Sequence, residues 1–155
     1  MMPPSLPQRK KLRLPQFDYR SEGAYYVTLC TQGKKPLLGR IIPGPEGMEP
    51  RMAYTSIGKT AEEFLRQMPG IDKYIIMPNH IHLIVFSDGK GMRLGQKIQI
   101  FKGNVTRRIK QSIWQREYYE HVIRDEADYQ IKWKYIDDNP SKWASDEYYY
   151  RPEEE

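Results

Sequence analysis

Residues 71–86 read "IDKYIIMPNHIHLIVF". The run is too apolar for a surface loop, and Pro78 and Asn79 break it once. Both residue types favour turns, so the run splits into two antiparallel strands, about 72–77 and 80–86. Residues i and i+2 of a strand share a face. His80 and His82 therefore project together, and Ile81 points the other way. Neutral imidazoles side by side can share a divalent metal ion. The same pair on an outer sheet face would have no such role. The chain has only three histidines, and two of them stand here.

Around this hairpin the pattern alternates. "AYYVTLCTQ" (24–32) is β-branched and aromatic and reads as a strand. "PLLGRII" and "RMAYT" form a second hairpin around the Pro- and Gly-rich loop 43–50. Thr55 or Ser56 caps a helix over about 57–68, with Ala61, Phe64, Leu65 and Met68 on one face. After "SDGKG", Leu94, Ile98, Phe101, Val105 and Ile109 make the stripe of a helix over about 92–111. "YYEHVIR" (118–124) is another strand. Asp125 caps a last helix, about 126–138, which Asn139-Pro140 ends. This order predicts an α+β fold: a ferredoxin-like sandwich, its antiparallel sheet carrying helices on one face.

The 155 residues suit one domain, and 39% apolar with 29% charged residues suits a globular one. Cys30 is the lone cysteine, which rules out an internal disulfide and a cysteine zinc site and fits a reducing cytoplasm. The start is basic and proline-rich, without the apolar core of a secretory signal. No apolar run approaches the roughly 20 residues of a membrane span, so no membrane partner is expected. Residues 1–20 read as an extended arm, with Arg9, Lys10, Lys11 and Arg13 as DNA contacts or merely a solvated tail. Residues 141–155 read as a C-terminal tail.

The net charge of +5 favours polyanions. Arg93, Lys97, Lys102, Arg107, Arg108, Lys110 and Arg116 fall in a stretch without Asp or Glu. That pattern predicts a phosphate-tracking face on the long helix. Trp114, Tyr118 and Tyr119 follow and suit either base stacking or the core.

Tyr135 and Asn139 share one face of the last helix at i, i+4 spacing. A tyrosine hydroxyl, with an ordinary pKa of about 10, is a poor nucleophile unless a cation polarises its target. With no thiolate to hand, a third metal ligand beside the histidines must be a carboxylate, an amide oxygen or His121.

Taken together, "RKKLRLPQFDY" (9–19), "GAYYVTLCTQGKKPLLG" (23–39), "MPNHIHLIV" (77–85), "FKGNVTRRI" (101–109) and "IWQREYYEHVIRDEADYQIKWKYIDDNP" (113–140) carry a resemblance. The chain resembles the single-tyrosine HUH transposases of the insertion-sequence-200 type, in their REP-associated tyrosine transposase branch. The resemblance implies an HUH endonuclease domain over residues 21–140. It implies that His80, His82 and Asn139 hold magnesium or manganese, and that Tyr135 is the nucleophile. The implied reaction is cleavage and rejoining of single-stranded DNA through a 5′-phosphotyrosine. The implied substrate is a hairpin of a REP element, handled by a monomer or a homodimer. A non-cleaving hairpin-binding module of the same fold is the alternative, and a small-molecule metalloenzyme a third.

Overall fold

The computed structural model describes residues 23–46, 48–87 and 91–138. The arm, the tail, Asn139 and the arm's Arg9, Lys10, Lys11 and Arg13 lie outside that range. The elements run β1 (Ala24–Cys30), β2 (Gly39–Ile42), β3 (Arg51–Tyr54), α1 (Ser56–Leu65), β4 (Ile71–Met77), β5 (His80–Phe86), α2 (Leu94–Ile109), β6 (Tyr119–Ile123) and α3 (Glu126–Asp138). Each begins or ends within a few residues of the position expected from sequence.

Four strands form one antiparallel sheet in the order β4-β5-β1-β6, and β2 pairs with β3 as a separate hairpin. That order is the split βαβ arrangement of a ferredoxin-like fold, with α1 and α2 as its two crossovers. Pro78 and Asn79 make the two-residue turn between Met77 and His80. The turn is locked from outside: the carbonyls of Pro78 and Asn79 accept from the backbone of Leu38 and Thr31.

Side chains of a strand alternate between faces, so the sheet builds two cores. Val27, Leu29, Ile81, Leu83 and Val85 meet Ala61, Leu65, Ile98, Phe101 and Val105 of α1 and α2. Ala24, Tyr26, Ile84 and Ile123 meet Tyr129 and Ile136 of α3. The two crossover helices thus share one face, as expected. The third helix covers the opposite face, because the apolar stripe of Tyr129 and Ile136 has only that face left to bury against.

α3 is fixed at its start by Asp125, whose side chain accepts the Asp128 amide at 2.9 Å. This is an N-cap, and its removal would cost about 1 kcal/mol. Farther along, the Tyr129 hydroxyl donates to Asp72 at 2.8 Å, and Lys73 of β4 pairs with Asp137 at 3.3 Å. Among the described residues no helix is long and apolar enough to cross a membrane.

Candidate active site

His80 and His82 lie on the α3 face of the central strand β5. They are buried, at 0% and 1% exposure, and not half-exposed on an outer surface. Their rings sit 4.5 Å apart, centroid to centroid, at 70°. Thr28 and Cys30 of β1 face them across the ladder. The His82 Nδ1 lies 2.9 Å from both the Tyr26 hydroxyl and Thr28 Oγ1.

Asn79 fixes the tautomer of His80. Its amide Nδ2 donates to the Lys34 carbonyl at 3.0 Å, and a carbonyl can only accept. The amide oxygen therefore turns to His80 Nδ1, 2.8 Å away. Nδ1 must carry the proton, which leaves the Nε2 lone pair for a ligand. In both rings protein groups hold Nδ1, so a metal bond falls to Nε2, and both Nε2 atoms are buried. Holding the far nitrogen in this way orients metal-binding histidines in general. Among the described residues there is no group of three or more His, Cys, Asp and Glu side chains placed to hold a metal. Of these four residue types, the described part of the site offers two imidazoles side by side.

Tyr135 stands over this pair on α3. Its ring is edge-on to His82 at 5.2 Å and to Tyr26 at 6.4 Å. It is 41% exposed, whereas Tyr129 one and a half turns earlier is wholly buried and bonded to Asp72. Of these two tyrosines, solvent reaches Tyr135 and not Tyr129. Tyr26, Thr28, His82, Tyr119, Ile131, Lys132 and Tyr135 line a cleft of about 440 Å³. Its size is within the range of small-ligand sites.

Lys132 links the cleft to a cluster of charged and polar groups around Asp128. Asp128 Oδ2 accepts from His121 Nε2 at 2.7 Å and from the Arg124 amide at 3.2 Å. Its Oδ1 lies 3.4 Å from Lys132 Nζ. Burial alone would raise the pKa of this carboxyl. The hydrogen bonds from His121 and Arg124 and the charges beside it outweigh burial and hold it below its ordinary value.

The basic helix is elsewhere. α2 packs on the sheet face opposite Tyr135. Lys97 corrects its sequence reading: it is 7% exposed, and its ammonium donates to the Phe86 carbonyl at 3.1 Å. Lys102 donates to the Gln115 carbonyl at 2.9 Å, and burial lowers its pKa. Arg108 pairs with Glu63 at 3.1 Å and lies over the Phe64 ring. Arg107 is exposed beside Asn104, and Lys110 and Arg116 are exposed. Trp114 belongs to the core beside Phe101, and Tyr119 is exposed at the cleft.

Sequence reasoning missed Tyr26, Thr28 and Lys132, and it read Asn79 only as a turn residue. Lys132 was legible, being three residues before Tyr135 and hence on its helix face. Tyr26 and Thr28 gave no local signal, since only the β1–β5 register places them by His82.

No family model matches the chain. A Haemophilus influenzae protein named only "Uncharacterized protein" is 31% identical over 173 aligned positions, covering 91% of this chain and 93% of that one. A second protein of that organism, named "Putative REP-associated tyrosine transposase", is 28% identical, covering 81% of this chain and 74% of that one. Among solved structures, that of a REP-associated tyrosine transposase bound to a REP hairpin superimposes with a TM-score of 0.58. The identity is 22%, and the match covers 79% of this chain and 68% of that one.

Proposed function

We propose that the chain is a REP-associated tyrosine transposase that cleaves and rejoins single-stranded DNA beside a hairpin, with Tyr135 as the nucleophile. The observation that carries this reading is the solvent-reachable Tyr135 ring set edge-on to the buried His82, with His80 behind it.

In the proposed step, Tyr135 Oη attacks the phosphorus of a phosphodiester. The new P–Oη bond forms as the P–O3′ bond breaks. The phenolic proton leaves to solvent, which reaches this exposed ring, and the departing 3′-oxygen takes up a proton to become a hydroxyl. The 5′-phosphotyrosine exchanges one phosphodiester for another, so a 3′-hydroxyl reverses the step without ATP.

His80 and His82 fit a divalent metal: two neutral imidazoles with Nδ1 held and Nε2 buried are suitable donors. They would hold magnesium or manganese together with the amide oxygen of Asn139. Such an ion, when bound, supplies positive charge to the phosphate oxygens. Nitrogen ligands favour manganese over magnesium. Tyr135 meets histidines of its own chain, which supports a site that works within one copy.

The experiment is incubation with single-stranded hairpin DNA, with and without manganese, followed by a denaturing gel. A protein–DNA adduct that needs manganese and the Tyr135 hydroxyl is the expected result. Binding without an adduct would favour the hairpin-binding module instead. Neither binding nor cleavage would overturn both.

A further inference from the structure

Lys132 is the one charged side chain among the described residues that line the cleft. No carboxylate lines it there. A pocket with a single cation and two tyrosine rings beside His82 favours an anion with apolar flanks, which describes a phosphodiester between nucleosides.

The position of Lys132 follows from helix geometry. A helical side chain covers the turn N-terminal to its own Cα. Tyr135 therefore lies over the turn that carries Ile131 and Lys132. Lys132 itself leans back toward Asp128, to which it is bound at 3.4 Å, and lies 5.7 Å from the centre of the Tyr26 ring. Tyr26, like Thr28, touches His82 Nδ1. The ammonium is thus tethered between the nucleophile's turn and the histidine's neighbour.

The tether is loose on the side that matters. Of the three donors on Asp128, Lys132 is the farthest: His121 is at 2.7 Å, the Arg124 amide at 3.2 Å and Lys132 at 3.4 Å. An ionised carboxylate is acceptor-only, so His121 donates from Nε2. Asp128 would keep two donors if Lys132 turned to another anion.

We propose that Lys132 is a catalytic residue whose ammonium binds a non-bridging oxygen of the phosphate that Tyr135 attacks, and that Asp128 is its positioning residue. This rests on the strand-cleavage reading above. As negative charge moves onto the phosphate oxygens in the attack, a fixed cation there stabilises the transition state more than the ground state. The same interaction would hold the 5′-phosphotyrosine until a 3′-hydroxyl returns.

The test uses the full chain, manganese and a pool of single-stranded hairpins with randomised flanking bases. Adduct formation is followed in single-turnover mode over a range of protein concentrations, which separates the saturating rate from affinity. Lys132→Gln should slow the saturating rate by about 100-fold, the scale for removal of one such donor. Its affinity for the pool should change less than about threefold, because the other phosphate-binding cations stay in place. Lys132→Arg, which keeps the charge, should recover to within about tenfold of wild type. Asp128→Asn should fall between wild type and Lys132→Gln. An equal saturating rate for wild type and Lys132→Gln overturns this proposal alone, as does a defect confined to affinity. No adduct with the wild-type chain overturns it together with the cleavage reading. Thermal unfolding of each variant shows whether a slow rate merely reports a damaged fold, and a Lys132→Gln chain that melts well below wild type and is not rescued by arginine counts against the proposal.

Discussion

His82 and Tyr135 meet edge to face, ring centroids 5.2 Å apart, although one lies on a central strand and the other on the last helix. The contact depends on α3 crossing the sheet face that α1 and α2 leave open. It puts a reachable hydroxyl beside a buried imidazole pair.

Tyr135→Phe keeps the ring and its packing on His82 and Tyr26. The melting temperature should change little, since a substitution at a part-exposed ring that keeps its packing is mild. The covalent DNA adduct should vanish on a denaturing gel. If an adduct persists, its tyrosine should be sought at Tyr119, which is exposed in the same cleft. Tyr129 is no longer a contender, because its hydroxyl is buried on Asp72.

Asn79 gives a second test. Asn79→Ala would remove the buried acceptor for His80 Nδ1 and the donor to the part-buried Lys34 carbonyl. Removing the partner of a buried polar group costs about 1–3 kcal/mol, so urea unfolding should show a loss in that range. The freed imidazole can also adopt the wrong tautomer. Manganese affinity by calorimetric titration should fall about 10-fold or more, as for other outer partners of metal histidines. Unchanged affinity would show that the His80 ring is held without Asn79.

His80→Ala and His82→Ala should each weaken manganese binding further than Asn79→Ala does. They should also destabilise the fold more than half-exposed histidines would, because both rings are buried. His82→Ala strips a partner from the Tyr26 and Thr28 hydroxyls at once. We expect a loss of about 2–4 kcal/mol by urea unfolding, from the lost hydrogen bonds and the cavity together. A loss below about 0.5 kcal/mol would mean that water fills the site at no cost.

Asp128 makes stability depend on acid. Its folded pKa is depressed. Its contribution is therefore fully present above the unfolded carboxyl value of about 3.9 and is lost as pH falls through the folded pKa. Its side chain is 19% exposed, so solvent screening keeps the effect to about 1 kcal/mol. Asp128→Asn should be less stable than wild type at pH 7 by about that amount. The difference should shrink as the pH drops below about 4. Urea unfolding at pH 7, 5, 4 and 3 checks the sign, and a gap that widens in acid would contradict it.

Local pattern carried most of the fold. The 77–80 turn, the stripe of α2 and the Asp125 cap are written in neighbouring residues, so the elements could be read. The face on which each helix sits is not local. It depends on strand order, which places Thr28 opposite His82 and leaves α3 the histidine face. Lys97 shows the converse error. It lies three residues after Leu94 and four before Phe101, within the apolar stripe, yet its charge drew it into the phosphate-tracking set. Its long stem buries while the ammonium reaches a strand-end carbonyl.

Burial takes Lys97 out of the set of cations that can meet a phosphate. Removing one cation that touches a phosphate of single-stranded DNA flattens the slope of log K against log salt by roughly 0.7. Were Arg107 and Arg108 both free to bind phosphate, changing both to Gln would flatten it by about 1.4. Arg108 is already neutralised by Glu63 and stacked on Phe64. We therefore expect the double variant to flatten the slope by no more than about 0.7, equally for hairpin and unrelated strands, since phosphates carry no sequence information. The saturating cleavage rate should not change, because α2 lies across the sheet from Tyr135. Lys97→Met should leave the slope untouched and act only on stability. A full flattening of about 1.4 would mean that DNA binding opens the Arg108–Glu63 pair. A slope that falls with Lys97→Met would mean that this helix end rearranges around the strand.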